Sequence, residues 1–251
     1  MRRTFERSLL AACITSALAV LVACGGGSGD SQRAGTAGNA QVTKAETSAD
    51  ASRFLTQATF GPTMASIDRV LNVQLEAWLE EEFAKPQSYT HLGYWQERVA
   101  ASGQSNASDT NWLYQSFWRN ALTADDALRQ RVAFALSQIF VVSLNDMNVS
   151  QRARGVASYY DMLGRNAFGN FRALLEDVTL HPMMGLYLSH LRNRGDGDRA
   201  PDENFAREVM QLFTIGVHRL NEDGSRMMDG NGQPLETYGN EDVTGIARVF
   251  T

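Results

Sequence analysis

The stretch NFAREVMQLFTIG, Asn204 to Gly216, carries an amide, a guanidinium, a carboxylate and a second amide at Asn204, Arg207, Glu208 and Gln211. At ~100° per residue these four positions fall within about a third of a helix circumference, while Phe205, Val209, Leu212 and Phe213 cover much of the other side. The segment reads as an amphipathic helix whose polar stripe admits two orientations. A solvated face would be served by any polar residues. A planar fork of five donors beside a carboxylate with four acceptor sites suits a network tied to crossing segments, and adjacent residues on a helix diverge. We therefore expect Asn204, Arg207, Glu208 and Gln211 to form an inward-facing structural polar network, with Arg207 and Glu208 engaging neighbouring helices rather than each other.

The helical period continues on both sides of this stretch. DASRFLTQATFG opens with Asp50 as a cap and closes at Gly61, MASIDRVLN follows the turn signal Gly61-Pro62, and LEAWLEEEFAK ends before Pro86. The polar linker ASGQSNASD precedes TNWLYQSFWRNAL, an aromatic-rich helix expected to be buried. TADDALRQRVAFALSQIFVVS places Thr123, Asp125 and Asp126 in a first turn, favourable against the helix dipole. Its apolar positions Leu128, Val132, Ala135, Leu136 and Ile139 recur at three and four, the pattern of a core helix. VASYYDMLGRNAF and FRALLEDVTLHPMMGLYLSHLRNR behave alike, the second interrupted at Pro182. In VHRLNEDGSRMMDGNGQPLETY the dipeptides Asp223-Gly224 and Asn231-Gly232 are hairpin signals and suggest a two-stranded excursion. No internal repeat and no heptad pattern is evident. The expected fold is mostly α, a single irregular helical domain over residues 49–251 with a short β-hairpin-like excursion near 217–238. NEDVTGIARVFT starts a last helix at Asn240 or Thr244, with an apolar stripe through Val243, Ile246, Ala247 and Phe250 and neither cap nor turn after it. That ending reads as a truncated domain whose stripe lacks its partner surface.

The N-terminus is of another kind. Arg2, Arg3 and Arg7 precede an apolar run from Leu9 to Val22, too short for a comfortable transmembrane helix, so residues 1–23 read as a secretory signal. Leu21-Val22-Ala23-Cys24 resembles the lipobox of bacterial lipoproteins, in which the cysteine is lipidated and becomes the mature N-terminus. Membrane lipid attached through Cys24 is thus an expected partner, and the absence of Asp beside it resembles lipoproteins of a Gram-negative outer membrane. Residues 24–48 are then the lipidated cysteine and a Gly/Ser-rich tether with too little apolar surface to offset its ordering entropy. Removing Met1 to Ala23 takes away Arg2, Arg3, Arg7 and Glu6, which moves the formal net charge from −5 to −7. No basic footprint for nucleic acid exists.

Composition removes several chemistries. Cys13 leaves with the signal and Cys24 is committed to lipid, so the body has no disulfide, thiolate nucleophile or cysteine zinc site. Only Lys44 and Lys85 occur among 23 Lys and Arg residues, which leaves little for a Schiff base or a phosphate loop. No G-x-S-x-G elbow, H-E-x-x-H helix or G-x-G-x-x-G turn is found in the globular part. His91, His181, His190 and His218 have no i, i+4 partner and read as structural or surface residues. Asn221, Asp223, Asp229 and Asn231 are oxygen donors, but placing Gly224 sixth in a calcium loop puts Arg219 first and Gly230 twelfth, so these read as turn residues. We expect no metal and no cofactor.

Three segments together carry a family resemblance: YYDMLGRNAFGNFRALLEDVTLHPMMGLYL, NFAREVMQLFTIGVHRLNEDG and TYGNEDVTGIARVFT. From about Arg53 to the last residue the chain resembles the bacterial family called domain of unknown function 1800, most distinctly in Asn-x-Ala-Arg-Glu-x-x-x-Leu-Phe-x-x-Gly. The resemblance implies a secreted, mostly helical protein, longer than this chain, often encoded beside a second secreted family that becomes a candidate partner. Many members carry a Trp-His-Asn-His-Phe-like run where this chain has FALSQIF, so Ser137 and Ile139 stand in place of the histidines. No activity comes with the resemblance. Two functions are open: a non-catalytic envelope lipoprotein that serves as a binding or assembly module, and a hydrolase of envelope or extracellular polymer using Glu208, with Glu203 or His218, as acid or base. A catalytic Glu208 requires a cleft through which substrate reaches it.

Overall fold

A computed structural model describes residues 44–103, 110–197 and 199–251. The signal, Cys24 and the tether up to residue 43 lie outside the described residues, as does most of the polar linker. The described chain is mostly α and contains no sheet. Among the described residues, contacts divide the chain into two compact units, residues 44–88 with 121–131 and residues 89–120 with 132–251.

In the first unit α1 (Ser48–Ala58), α2 (Met64–Val73) and α3 (Leu75–Ala84) follow one another in contact. The cap of α1 is Thr47 rather than Asp50: Thr47 Oγ1 accepts the Asp50 N–H at 3.2 Å, and the Asp50 carboxylate accepts the Thr47 N–H at 3.1 Å. Asp50 is thus the reciprocal partner, at the third helical position, of a capping box. Leu55, Val70, Trp78 and Leu79 are buried, and Phe54 meets Trp78 edge-to-face at 5.1 Å. Asp126, fully buried just before the next helix, accepts from the Ser88 backbone and side chain and from Gln130. Thr123 does not start that helix, because it closes the preceding one.

The second unit holds α4 (His91–Ser102), α7 (Ala153–Arg165), α8 (Phe171–Leu180), α9 (Pro182–Tyr187), α10 (Asn204–Gln211) and α11 (Asn240–Val249). The unit boundaries fall within α5 (Asn111–Thr123) and α6 (Ala127–Ile139). Eight residues of α7 are buried, among them Val156, Tyr159, Asp161 and Leu163. Tyr159 is fully buried and donates its hydroxyl to the Phe140 carbonyl at 2.8 Å. Neither α5 nor α6 is enclosed as expected: Tyr114 and Trp118 are 53% and 60% exposed, and Ala135 and Ile139 face solvent. Their apolar stripes are wider than the core they meet.

Residues 217–237 form three short arms instead of two strands. The amide of Arg219 bonds the carbonyl of Leu235, that of Met227 the carbonyl of Arg219, and that of Leu235 the carbonyl of Met227, each at 2.9 Å. These residues are eight apart, as are the turns closed by Asn221 N to Ser225 O and by Asp229 N to Gln233 O, both 2.8 Å. An eight-residue repeat therefore exists in the backbone, although its side chains scarcely recur. Gly224 and Gly232 recur at φ +83° and +76°, where only glycine is unstrained.

Candidate functional site

The second unit contains a cavity of about 450 Å³ built from four elements and the segment after α6. From α5 come Leu113, Tyr114, Phe117 and Trp118, which share a face because they stand three or four residues apart. Phe134 and Ser137 come from α6, and Val141 to Leu144 from the following segment. Val156 and Tyr160, one turn apart on α7, complete the wall with His91, the first residue of α4. None of these lining side chains is Asp, Glu, Lys or Arg.

His91, 7% exposed, is fixed at both backbone and ring. The Asp161 carboxylate accepts the His91 and Leu92 amides at 2.6 and 2.9 Å, meeting the otherwise unpaired N–H groups and positive dipole end of α4. The ring lies edge-to-face on Tyr160 at 5.7 Å, and its Nδ1 is 2.7 Å from Ser116 Oγ. Ser116 gives its one proton to the Leu113 carbonyl at 2.8 Å, so the network assigns the proton of the ring pair to Nδ1. Burial, reinforced by the Arg119 charge, holds the imidazole down to about 4, whereas burial pushes the Asp161 carboxyl up to about 6 against the lowering effect of its two amide bonds. Burial pushes the Tyr160 hydroxyl above its ordinary value, against the lowering effect of the neighbouring Ser137 hydroxyl. Sequence reading left His91 as a structural histidine and overlooked the cavity. The signal available was the i, i+4 pair Tyr114 and Trp118, two large aromatics that a helix packed on all sides would not leave open.

The residues singled out on α10 assemble differently from expectation. Asn204, Arg207 and Gln211 are exposed and Glu208 is half-buried, so the stripe does not face inward. The apolar side of α10 meets the core instead, with Phe205, Ala206 and Met210 buried, and the burial of that side leaves the stripe to solvent. Arg207 reaches Asn240 of α11 at 3.2 Å but also Glu203, the residue capping its own helix, at 2.6 Å; Glu203 accepts from Thr244 at 3.0 Å, Asn204 donates to Ser189 at 2.8 Å, and Glu208 Oε2 engages no neighbouring helix. The stripe of the last helix has its own surface, since Val243 and Ala247 pack on Ala206 and Met210, and Phe250 meets Phe205 edge-to-face at 4.9 Å.

Glu208 Oε2 and His218 Nδ1 are enclosed without hydrogen-bond partners, and Glu203 is engaged by Arg207 and Thr244. Neither Glu208 nor His218 lines the cavity above or a second one of about 500 Å³ beside Arg152, Met183 and Arg192. Among the described residues no group of three or more His, Cys, Asp or Glu side chains is arranged to hold a metal ion. Ser137 faces the aromatic cavity, while Ile139, two residues on, is 49% exposed outside it.

Among known proteins, the family described as "Protein of unknown function (DUF1800)" matches residues 53–251. No curated protein and no solved structure matches the chain.

Proposed function

The chain belongs to the DUF1800 family, and from that premise we propose that it is a binding module rather than an enzyme, displayed at the cell envelope by a lipid on Cys24. The observation that carries this reading is the cavity of about 450 Å³, walled by carbon and flanked by the exposed rings of Tyr114 and Trp118. A pocket of this size lined by aromatic groups with a few convergent polar atoms is the usual form of a small-molecule site. Exposing a tryptophan on a helix forgoes burial worth about 1.5–3 kcal/mol, which a ligand recovers on covering it. The tether places such a module away from the membrane surface, and a secreted protein from a neighbouring gene remains a candidate partner for the assembled form. The hydrolase alternative needs Glu208 at an opening wide enough for polymer, and the enclosure of its Oε2 weighs against it.

The test uses the full chain in detergent and a neutral apolar dye such as Nile red. Saturable binding is expected, weakened at least about tenfold by Trp118→Ala, whose exposed position keeps its effect on folding within about 0.5 kcal/mol. Binding that is absent, or indifferent to this substitution, overturns the reading.

A further inference from the structure

Resting on that reading, the cavity's polar atoms narrow the ligand. An ion entering it would lose its water without meeting an opposite charge, since no charged side chain lines the wall. The hydroxyl of Ser137 is committed to the Phe134 carbonyl at 2.7 Å, and Ser143 Oγ accepts the Asn145 amide at 3.1 Å. His91 is different. Its Nδ1–H is donated to Ser116, which leaves the Nε2 lone pair as the open position of a neutral ring that lines the cavity. Among the described residues no donor pairs with Nε2, although the residue is only 7% exposed. The ring cannot swing away to find one, because Asp161 holds its backbone, Ser116 its Nδ1 and Tyr160 its edge. An acceptor of this kind, held in place at the cavity wall, gains a hydrogen bond once a donor arrives.

We propose that the cavity binds a small neutral aromatic molecule bearing a hydroxyl group, a phenol-class ligand, whose O–H donates to His91 Nε2 while its ring lies against Tyr114, Phe117 and Trp118. The hydroxyl meets an acceptor for which no hydrogen bond from the protein is seen among the described residues. The ring suits the wall because offset and edge-to-face contacts between aromatic groups add to simple burial. A carboxylate or ammonium ligand has no counter-charge here, and an aliphatic alcohol forgoes the ring contacts.

The experiment compares 1-naphthol with 1-methoxynaphthalene, which keeps the rings and oxygen but has no proton to donate. Calorimetric titration of the full chain in detergent at neutral pH should show naphthol bound at least about tenfold more tightly, about 1.4 kcal/mol. In His91→Leu the preference should disappear while both ligands still bind. Should that variant not fold, the imidazole ¹⁵N resonances of the unaltered chain decide: Nε2 of His91 should shift on adding naphthol and stay in place on adding the ether. Equal affinity for the two ligands, a preference that survives His91→Leu, or an unmoved Nε2 resonance overturns the phenol inference while leaving the binding module intact. Failure of both ligands to bind at about 1 mM, together with failure of Nile red, removes both.

Discussion

Burial shifts His91 and Asp161 in opposite directions. The imidazole drops from its ordinary 6.5 to about 4 and the carboxyl rises from 3.8 to about 6, both chiefly through burial. A depressed histidine contributes stability above its unfolded value that is lost as pH falls toward 4, about 3 kcal/mol in full. A raised carboxyl has the opposite sign: its contribution is complete below 3.8 and is lost as pH rises through about 6, again about 3 kcal/mol. The two nearly cancel between about pH 4 and 6.5. Asp161→Asn removes one and exposes the other, so its melting temperature should fall more steeply than that of the parent as pH drops across this interval. Matching slopes in thermal melts would show that Asp161 does not titrate there. On α10 the exposed Glu203–Arg207 pair is worth about 0–1 kcal/mol, in contrast to the 3–5 kcal/mol at stake in a buried pair. Residue types suited to a buried network thus occupy a surface cluster between α10 and α11.

At the scale of elements, α5 shows how one helix serves two environments. Trp112, Leu113, Ser116 and Asn120 form its buried face, and Tyr114 and Trp118 stand beside that face at the cavity. Helical periodicity identifies the apolar stripe but not its width, so an open cleft and a closed core look alike in the sequence. The three-arm ring at 217–237 is built from turns instead of strands. Asp223 accepts from the Ser225 amide and hydroxyl, and Asp229 from the Asn231 and Gln233 amides, which holds both carboxyls below the usual range. Gly232→Ala should strain the second turn by about 1–2 kcal/mol. Hydrogen exchange at the Asp229 and Leu235 amides should quicken accordingly, while Gly230→Ala, with open space around its added methyl, leaves both unchanged. Equal rates in both variants would mean that the turn tolerates a left-handed alanine and that the ring does not depend on glycine.

For the molecule as a whole, the proposed anchor at Cys24 would set where the proposed binding happens. Among the described residues no helix is long and apolar enough to cross a membrane. Attachment in our reading rests on Cys24. Metabolic palmitate labelling should mark the parent chain and spare Cys24→Ser; equal labelling of both would sink the anchor. The helical class, most helix limits and the family were legible in the residues, because capping, a 3.6-residue period and a distinctive motif are local properties. Thr47 against Asp50, or Thr123 against the true start of α6, are shifts of a few residues within that local signal. Only the tertiary structure decided which side of α10 meets the core, that α10 supplies the surface for Val243 and Ala247, and that His91 and Trp118 line one cavity. Each of these depends on segments far apart in the chain, and an amphipathic pattern names the faces of a helix without naming what will cover them.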